Sequence, residues 1–406
     1  LGMIVPTAIA TDESNKNLIK DLVEKKSLVS FFDFTNRGYL FHDTESTFSF
    51  ALVTITNNGI SEVLFAAQLW KLQDLKKNRI YKLTADDILL LNPNTLNLPV
   101  FRLPKDAEIV TSIHRLIPIL QPIAYESING WTVQFRQGLF NMTSNSNLFR
   151  KKSQLESDGY IANGNEYTHN QKRYIPLYEA KHINQYNHRA ATFEGVPNDL
   201  IYGTRPRTNK PTIRELNDPD WSVLPRYWVN YKDVERKISN NWKYSWLIGF
   251  RNAVSAVADS RSLVATIIPR VGVGNSMPVV FLENHAKECC LFLANLNSFI
   301  LDYVVKQKVS GGNLNFYIMH QLPIIPISFY NMRITDYICE HILKLIYNSK
   351  EMCAFANDLG FDSKPFEWNE DERLSLRADL DIIYAYLYRI SKRDLEYILD
   401  SFDVYA

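Results

Sequence analysis

The segment Leu1-Gly2-Met3-Ile4-Val5-Pro6 opens the chain with a short apolar run that has the composition of a β-strand. Apolar residues with helical spacing follow over residues 16–26, and a second apolar run covers residues 28–34. Residues 47–56 then alternate between two faces, as the residues of a half-buried strand do. This order of strand, helix and strands predicts the end of an open α/β sheet with an antiparallel edge.

An opening strand this apolar is typical of a parallel sheet, where both faces of the strand are buried and other strands flank it. The sequence has no initiator Met and no basic segment of the kind that a signal peptide carries. We therefore expect the chain to begin in the middle of a domain.

The composition is that of an ordinary globular protein. The 406 residues include 45 Lys and Arg against 44 Asp and Glu, for a formal net charge of +1, and 46% are hydrophobic. This balance excludes a disordered or collagen-like chain, and it excludes bulk charge as the cause of binding to nucleic acid or membrane. No stretch approaches the roughly 18 apolar residues of a membrane span. The four cysteines form no CxxC pair, which favours a reducing, cytoplasmic location.

Changes in composition and in the spacing of apolar residues divide the chain into four parts. Residues 1–85 form the α/β part, and residues 86–124 form a connector rich in turn-forming residues. Residues 125–330 have the short segments of a mixed α+β domain, and residues 331–406 have the apolar spacing of helices. One helical stripe comprises Leu374, Leu380, Ile383, Tyr384 and Leu387.

The sequence contains none of the familiar catalytic motifs GxGxxG, GxxxxGK[ST], HExxH or GxSxG. Gly272 and Gly274 lack a third glycine and stand between prolines, so we interpret them as a turn between strands. The eight histidines lie too far apart for a finger-like metal site. We therefore assign no catalytic, cofactor-binding or metal-binding residue to this chain.

One degenerate pattern is typical of a different chemistry. Pro219-Asp220 and Glu235-Arg236-Lys237 fit the loose arrangement of metal-dependent nucleases, in which two carboxylates hold Mg²⁺ and a lysine acts on the attacking water. That chemistry needs Glu and Lys on one face of a strand, whereas residues 232–238 have helical character. The nuclease stays a minor alternative.

A stronger signal is a set of basic, amide and glycine residues in the third part. Arg205, Arg207 and Lys210 lie in a Pro- and Gly-rich segment that we expect to be an exposed loop. Lys306-Gln307-Lys308 leads into Gly311-Gly312-Asn313-Leu314-Asn315. Arg and Lys reach phosphates, Asn and Gln reach base edges, and Gly lets a backbone approach closely. The set indicates a DNA-binding surface, and its alternative is a solvated surface without a ligand.

The order of the segments resembles the C-terminal half of large adenine-N6 DNA methyltransferases of type IIG restriction–modification systems and their methyltransferase-only relatives. The resemblance covers nearly the full chain, and the segment from Gly311 to Phe316 is its most specific part. The stretches that carry it include Gly2-Met3-Ile4-Val5-Pro6-Thr7, Phe32-Asp33-Phe34-Thr35-Asn36-Arg37, Leu91-Asn92-Pro93-Asn94-Thr95, Leu177-Tyr178-Glu179-Ala180-Lys181, Pro225-Arg226-Tyr227-Trp228, Ile267-Ile268-Pro269-Arg270, Gly311-Gly312-Asn313-Leu314-Asn315-Phe316 and Trp368-Asn369-Glu370-Asp371-Glu372-Arg373.

The resemblance implies that residues 1–85 are the C-terminal remnant of a class I, Rossmann-like methyltransferase sheet. It further implies that residues 125–330 are a target recognition domain. In such enzymes S-adenosylmethionine binds at the carboxyl ends of the sheet and methylates a flipped adenine. The cofactor glycine motif and the Asn/Asp-Pro-Pro-Tyr/Phe tetrapeptide do not occur here. We therefore expect S-adenosylmethionine in the full-length enzyme and none bound by this chain alone.

We predict that the chain is the DNA-recognition part of a site-specific adenine-N6 methyltransferase. Its expected partners are double-stranded DNA and the missing N-terminal catalytic half, and no membrane. The residues expected to contact DNA are Lys181, Arg226, Tyr227, Arg251, Arg270, Lys308, Gly311, Gly312, Asn313 and Asn315. For each a structural role is the alternative: Arg226 and Arg270 would pair with buried carboxylates, and Gly311-Gly312 would be a bare turn.

A second hypothesis is a separate, non-catalytic specificity subunit that assembles with a methyltransferase chain. It predicts an exposed apolar surface along residues 3–5 and 31–34, because that surface would be covered by the partner.

Overall fold

The computed structural model describes residues 1–11, 13–123, 129–238, 240–253, 261–309 and 312–402. The strands are β1 (Gly2–Pro6), β2 (Leu28–Thr35), β3 (Ser49–Ile55), β4 (Val63–Leu69), β5 (Tyr81–Leu83), β6 (Val133–Arg136), β7 (Ile161–Asn163), β8 (Glu166–His169), β9 (Lys172–Tyr178), β10 (Trp228–Asn230), β11 (Trp246–Phe250), β12 (Ala265–Pro269), β13 (Gly272–Val273) and β14 (Val279–Leu282). The α-helices are α1 (Ala8–Thr11), α2 (Lys16–Glu24), α3 (Ala85–Leu91), α4 (Pro104–Leu116), α5 (Lys152–Ser157), α6 (Asn198–Tyr202), α7 (Ile213–Asn217), α8 (Tyr231–Lys237), α9 (Ala286–Asn297), α10 (Phe299–Lys308), α11 (Phe316–His320), α12 (Met332–Ile346), α13 (Cys353–Asp358), α14 (Glu370–Leu387) and α15 (Lys392–Asp400).

The first sheet has the strand order β1-β3-β2-β4-β5 and is mostly antiparallel. β3 runs antiparallel to both β1 and β2, so these two strands point the same way with β3 between them. β4 pairs parallel to β2, and β5 pairs antiparallel to β4. The predicted mixture of helices and strands is confirmed, but antiparallel pairing extends through most of the sheet and is not limited to one edge.

β1 lies at the edge of this sheet, and no strand of the described residues pairs with its outer side. Its side chains alternate between exposed and half-buried, and Ile4 is 61% exposed. The expectation of a strand buried on both faces is therefore wrong, because an edge strand needs only one covered face. Phe31 and Phe34 are buried. They lie on β2, which β3 and β4 flank, so the expected exposed surface does not extend to residues 31–34.

Two further sheets form the middle of the chain. The first has the order β10-β9-β8-β7, with β13 added parallel to β9. The second is antiparallel with the order β12-β11-β14-β6, and helix α9 packs on β12. The turn predicted at Gly272 and Gly274 is corrected at Gly272, which lies in the short strand β13, while Gly274 directly precedes the turn that leads to β14. A Cβ at Gly272 would lie 2.5 Å from Val229 Cγ2, so close packing explains this glycine.

Helices α9 and α10 replace the single helix that the apolar spacing of residues 286–306 suggests. They meet at Ser298 with a bend of 57°. The Ser298 hydroxyl accepts a hydrogen bond from Leu301 N (3.3 Å), and the Asp381 carboxylate accepts one from Phe299 N (2.8 Å), so α10 has its own N-terminal cap. In the described chain no single helix is long and apolar enough to cross a membrane. Only α9 and α10 taken together have the length and composition of a membrane span, and this pair is bent and mostly buried.

Local hydrogen bonds at the helix starts follow the sequence closely. The Ser391 hydroxyl accepts from Asp394 N (3.1 Å) and donates to the Asp394 carboxylate (2.7 Å) at the start of α15. Thr84 and Asp87 form the same capping box at α3. One apolar cluster contains buried side chains from all four parts of the chain, from Ala10 in α1 to residue 402. The four parts therefore share one core.

Candidate nucleic-acid interface

Four loops meet where β9, β11 and β13 end. Ser276 lies between them: its hydroxyl accepts a hydrogen bond from Ala180 N (3.2 Å), and its carbonyl accepts one from Asn252 N (3.0 Å). The Asn252 carbonyl in turn accepts from Leu314 N (2.8 Å), and the Asn252 Nδ2 donates to Asn313 Oδ1 (3.3 Å). The loops so joined, which we call the four-loop surface, are residues 179–183, 251–253, 274–277 and 312–315.

The four-loop surface presents exposed amide groups to solvent. Asn313 and Asn315 are exposed, and Asn315 begins α11 without a capping hydrogen bond from its side chain. Gly312 is exposed, with no atom within 4 Å of the position of a Cβ, while Gly311 lies outside the described residues. An asparagine amide offers a donor and an acceptor side by side, the pattern that matches an adenine edge. Gly312 leaves the segment accessible to a duplex, and Asn313 would exchange its hydrogen bond from Asn252 for one to a base.

Asn275 belongs to this surface and Gly138 adjoins it, and neither was predicted from the sequence. Asn275 Oδ1 accepts from Met142 N (3.1 Å), and the Asn275 carbonyl accepts from Gln137 Nε2 (2.7 Å). Gly138 has a φ of +63°, and a Cβ there would lie 2.5 Å from the Gly274 carbonyl oxygen. This close approach joins the end of β6 to the 274–277 turn. The sequence offered only a lone GxG as a signal, which is common to many turns.

A basic loop lies beside the four-loop surface. Its exposed cations are Arg205, Arg207 and Lys210, and the exposed Arg214 follows in the first turn of α7. Lys181 joins the basic loop to the four-loop surface, because its ammonium group donates to the Pro206 carbonyl at 3.0 Å. The same ammonium group lies 5.4 Å from the centre of the Phe193 ring. Burial lowers the pKa of Lys181. Within the described ranges the side chains of the four exposed cations make no ion pair, so they are available to phosphates.

Two of the predicted arginines have partners inside the protein. Arg226 donates from Nε and Nη2 to the two carboxylate oxygens of Glu179, at 2.6 and 2.8 Å. Arg270 binds Glu235 in the same two-pronged way, at 2.7 and 2.9 Å, and donates to the Tyr244 carbonyl at 2.7 Å. Arg226 therefore pairs with a buried carboxylate, as in the structural alternative, whereas Glu235, the partner of Arg270, is half-buried. Because Glu179 begins one of the four loops, the Arg226 pair holds that loop in place.

The remaining predicted residues lie in different surroundings. Tyr227 packs between Phe149 and Tyr202, with ring centres 5.6 Å from each. Arg251 donates from Nε and Nη2 to the Ile183 carbonyl at 3.1 and 2.6 Å, which joins two of the four loops.

Lys308 points inward, away from solvent. Its ammonium group donates to the Leu91 carbonyl (2.5 Å) and to Asn92 Oδ1 (3.0 Å) at the C-terminal end of α3. Burial lowers the pKa of Lys308 to about 7. Its role in the folded chain is therefore to join α10 to the connector, and the structure does not bring it into the four-loop surface.

The residues of the nuclease pattern are separated by their partners. Glu235 lies on α8 and pairs with Arg270, and Lys237, at the end of the same helix, lies 5.0 Å from the centre of the Phe140 ring. Asp220 pairs with Lys350 at 2.7 Å. Among the residues that the structure describes, no group of three or more His, Cys, Asp or Glu could hold a metal ion. The helical interpretation of residues 232–238 is confirmed, and the strand geometry that a nuclease needs is not formed.

No protein-family model matches this sequence, and no curated protein matches it. Among solved structures, the fold is similar to the type IIG restriction endonuclease BpuSI, with 12% identity and a TM-score of 0.34 over 97% of this chain and 47% of that chain. It is also similar to the type IIL restriction-modification enzyme MmeI in complex with DNA, with 10% identity and a TM-score of 0.42 over 99% of this chain and 49% of that chain. The chain thus spans about half the length of the solved structures it matches.

Proposed function

We propose that this chain is the DNA-recognition part of a site-specific adenine-N6 DNA methyltransferase. The observation that carries the proposal is the four-loop surface, where exposed amides lie beside a loop of unpaired cations. Base edges are read by amides and phosphates are held by cations, so the two kinds of group needed for a duplex stand next to each other. The adenine target and the methyl transfer rest on the sequence resemblance alone.

The proposal divides the residues into three roles. Asn313 and Asn315 read bases, because they are exposed and Asn315 makes no capping hydrogen bond. The phosphate contacts come from the basic loop, with Arg205 and Arg207 as its exposed arginines. Arg226 positions the first of the four loops through Glu179 and does not itself reach DNA.

We infer that the described residues form no S-adenosylmethionine site of the class that the resemblance implies. A nucleotide pocket of this class needs a glycine-rich turn between a strand and a helix N-terminus. Here β1 is followed directly by Thr7 and the short helix α1. A Cβ at Gly38, after β2, would clash with the Trp70 backbone carbonyl, so that glycine is packed and forms no cradle. The catalytic half would have to supply the cofactor site, and no step through the cofactor is assigned to these residues.

A binding assay on a randomised duplex library tests the proposal. We expect the affinity of the wild-type chain to fall steeply with salt, since each phosphate contact contributes about 0.9 to the slope of log K against log salt concentration. Replacing Asn313 and Asn315 together by alanine relaxes the base preference and leaves the salt slope unchanged, and Asn58→Ala, an exposed asparagine of the first sheet, changes neither. An unaltered base preference in the double variant contradicts the assignment.

The basic loop has its own test in the same assay. Replacing Arg205 and Arg207 by glutamine lowers the salt slope by about two and weakens binding equally for all sequences. Lys364→Gln serves as the matched control, because this exposed lysine lies before α14 and outside the basic loop. A salt slope equal to that of the wild type would remove the loop from the interface.

The separate specificity subunit is the second candidate, and the open edge of β1 favours it. Leu1 is 81% exposed and Ile4 61% exposed, so a strand of a methyltransferase chain could add to this edge and cover them. In that case Ile4→Lys prevents co-purification with the methyltransferase chain and leaves DNA binding by this chain intact. If the two chains co-purify regardless of the substitution, the β1 edge is not the contact.

A further inference from the structure

Helix α14 is apolar on two opposite faces. One face carries Leu376, Leu380 and Tyr384, which are buried against the core. On the opposite face, Leu374 is 52% exposed and Ile382 is 62% exposed. A surface helix normally has a polar outer face, and an apolar outer stripe is typical of an interaction surface. The predicted single stripe of this helix is thus corrected at Leu374, which belongs to the outer face.

The outer stripe is symmetric about the middle of the helix. Ala378 and Ile382 lie two residues before and after Leu380, and Leu374 and Tyr386 lie six residues before and after it. Tyr386 is 74% exposed. If two identical helices cross antiparallel at this midpoint, the small Ala378 faces the large Ile382 of the second copy, and Leu374 faces Tyr386. Small and large side chains therefore alternate across the contact, which allows close packing.

Charges extend the same symmetry. Asp371 lies nine residues before Leu380, and Arg389 lies nine residues after it, just past the C-cap residue Tyr388 and with a left-handed φ of +54°. Both are exposed, and neither forms an ion pair with the described part of the chain. In the antiparallel arrangement each Asp371 faces Arg389 of the second copy. The stripe is thus complementary to itself in charge as well as in size.

A groove beside the stripe provides room for the facing side chain. It has a volume of about 470 Å³ and lies between α14, α10 and α15. Its lining is mostly apolar and includes Leu374, Phe299, Leu395 and Leu399. Because Leu374 forms one wall, the tyrosine that faces Leu374 would meet the mouth of this groove. Tyr386 suits this contact, because its ring can pack against the apolar floor of the groove while its hydroxyl stays in contact with solvent at the edge.

We propose that α14 forms a two-fold symmetric, antiparallel interface between two copies of this chain. A two-fold contact uses the same patch on both subunits, so it requires a patch that is complementary to itself. The contact is one helix wide and therefore smaller than the roughly 1,600 Å² of a standard interface. We therefore expect a weak, reversible dimer.

Sedimentation equilibrium of the full chain over a range of concentrations tests the proposal. We expect a reversible monomer–dimer equilibrium for the wild type, and at least about tenfold weaker association for Ile382→Asp, which places a carboxylate at the centre of the contact. Leu72→Asp is the matched control, because Leu72 has the same 62% exposure and lies in the first part of the chain. A wild type that stays monomeric at the highest concentration, or an Ile382→Asp variant that associates as strongly, overturns the proposal.

A charge exchange tests the symmetry itself. Asp371→Arg and Arg389→Asp each place like charges opposite one another and weaken the dimer, whereas the two substitutions together restore the opposite charges and the association. Glu372→Arg is the control for Asp371→Arg, since it changes the same helix turn but lies off the stripe. If the double variant associates no more strongly than the two single variants, the contact is not antiparallel and self-complementary, and the proposal fails.

Discussion

Replacing Arg226 by methionine separates a positioning role of this side chain from a direct contact with DNA. In the folded chain the guanidinium group binds both carboxylate oxygens of Glu179, and the two side chains are only 14% and 8% exposed. Glu179 begins the loop that carries Lys181, the lysine joined to the basic loop. The pair therefore fixes one edge of the four-loop surface.

The cost of the substitution follows from burial. A hydrogen bond to a charged group contributes about 1.5–3 kcal/mol, and removing one partner of a buried pair costs about 3–5 kcal/mol because the other charge stays desolvated. We expect Arg226→Met to lower the free energy of unfolding by about 3 kcal/mol or more. Glu179→Leu combined with Arg226→Met recovers most of that loss, because no unpaired charge then remains in the interior.

Urea unfolding of the four members of this double-mutant cycle measures the change in the free energy of unfolding. Binding to DNA at several salt concentrations measures the change in affinity and in salt slope. A positioning residue weakens binding without changing the salt slope. A loss of stability below about 1 kcal/mol, the range of exposed pairs, would refute the argument from burial. A salt slope reduced by about one would instead show that Arg226 itself contacts a phosphate.

Three further predictions concern the stability of the fold. Burial lowers the pKa of Lys308 to about 7, below the 10.5 of an exposed lysine, so between these pH values the unfolded chain binds more protons. The free energy of unfolding of the wild type, relative to that of Lys308→Met, therefore rises as the pH rises through that window. Urea unfolding of both proteins at pH 7 and at pH 9.5 measures this change. Arg189 is buried and donates five hydrogen bonds, among them those to the carbonyls of Leu216 and Asn348, so Arg189→Met destabilises the chain by about 3 kcal/mol or more in the same assay. Gly138→Ala meets both a positive φ and the Gly274 carbonyl, and thermal unfolding should show a loss of at least about 1 kcal/mol.

Local interactions made much of the fold predictable. The capping boxes at Thr84 and Ser391 depend on local sequence, because a cap joins residues only three positions apart. The alternation over residues 47–56 corresponds to β3, and the helical character of residues 232–238 to α8. Local spacing could not predict that β1 is an exposed edge strand, because an apolar strand has the same composition whether one face or both faces are covered.

The sequence by itself determined which residues are basic, amide or glycine, and it carries the local caps that begin α3 and α15. Only the tertiary structure decided which of the cations are free, because that depends on groups far away in the chain. Arg226 finds its carboxylate 47 residues away, Arg270 finds its own 35 residues away, and Lys308 finds a carbonyl 217 residues away. Among the described residues Arg205 meets no such partner, although it is the same residue type as the first two. The difference between a structural arginine and one available to DNA is a matter of which side chains folding places within hydrogen-bonding distance.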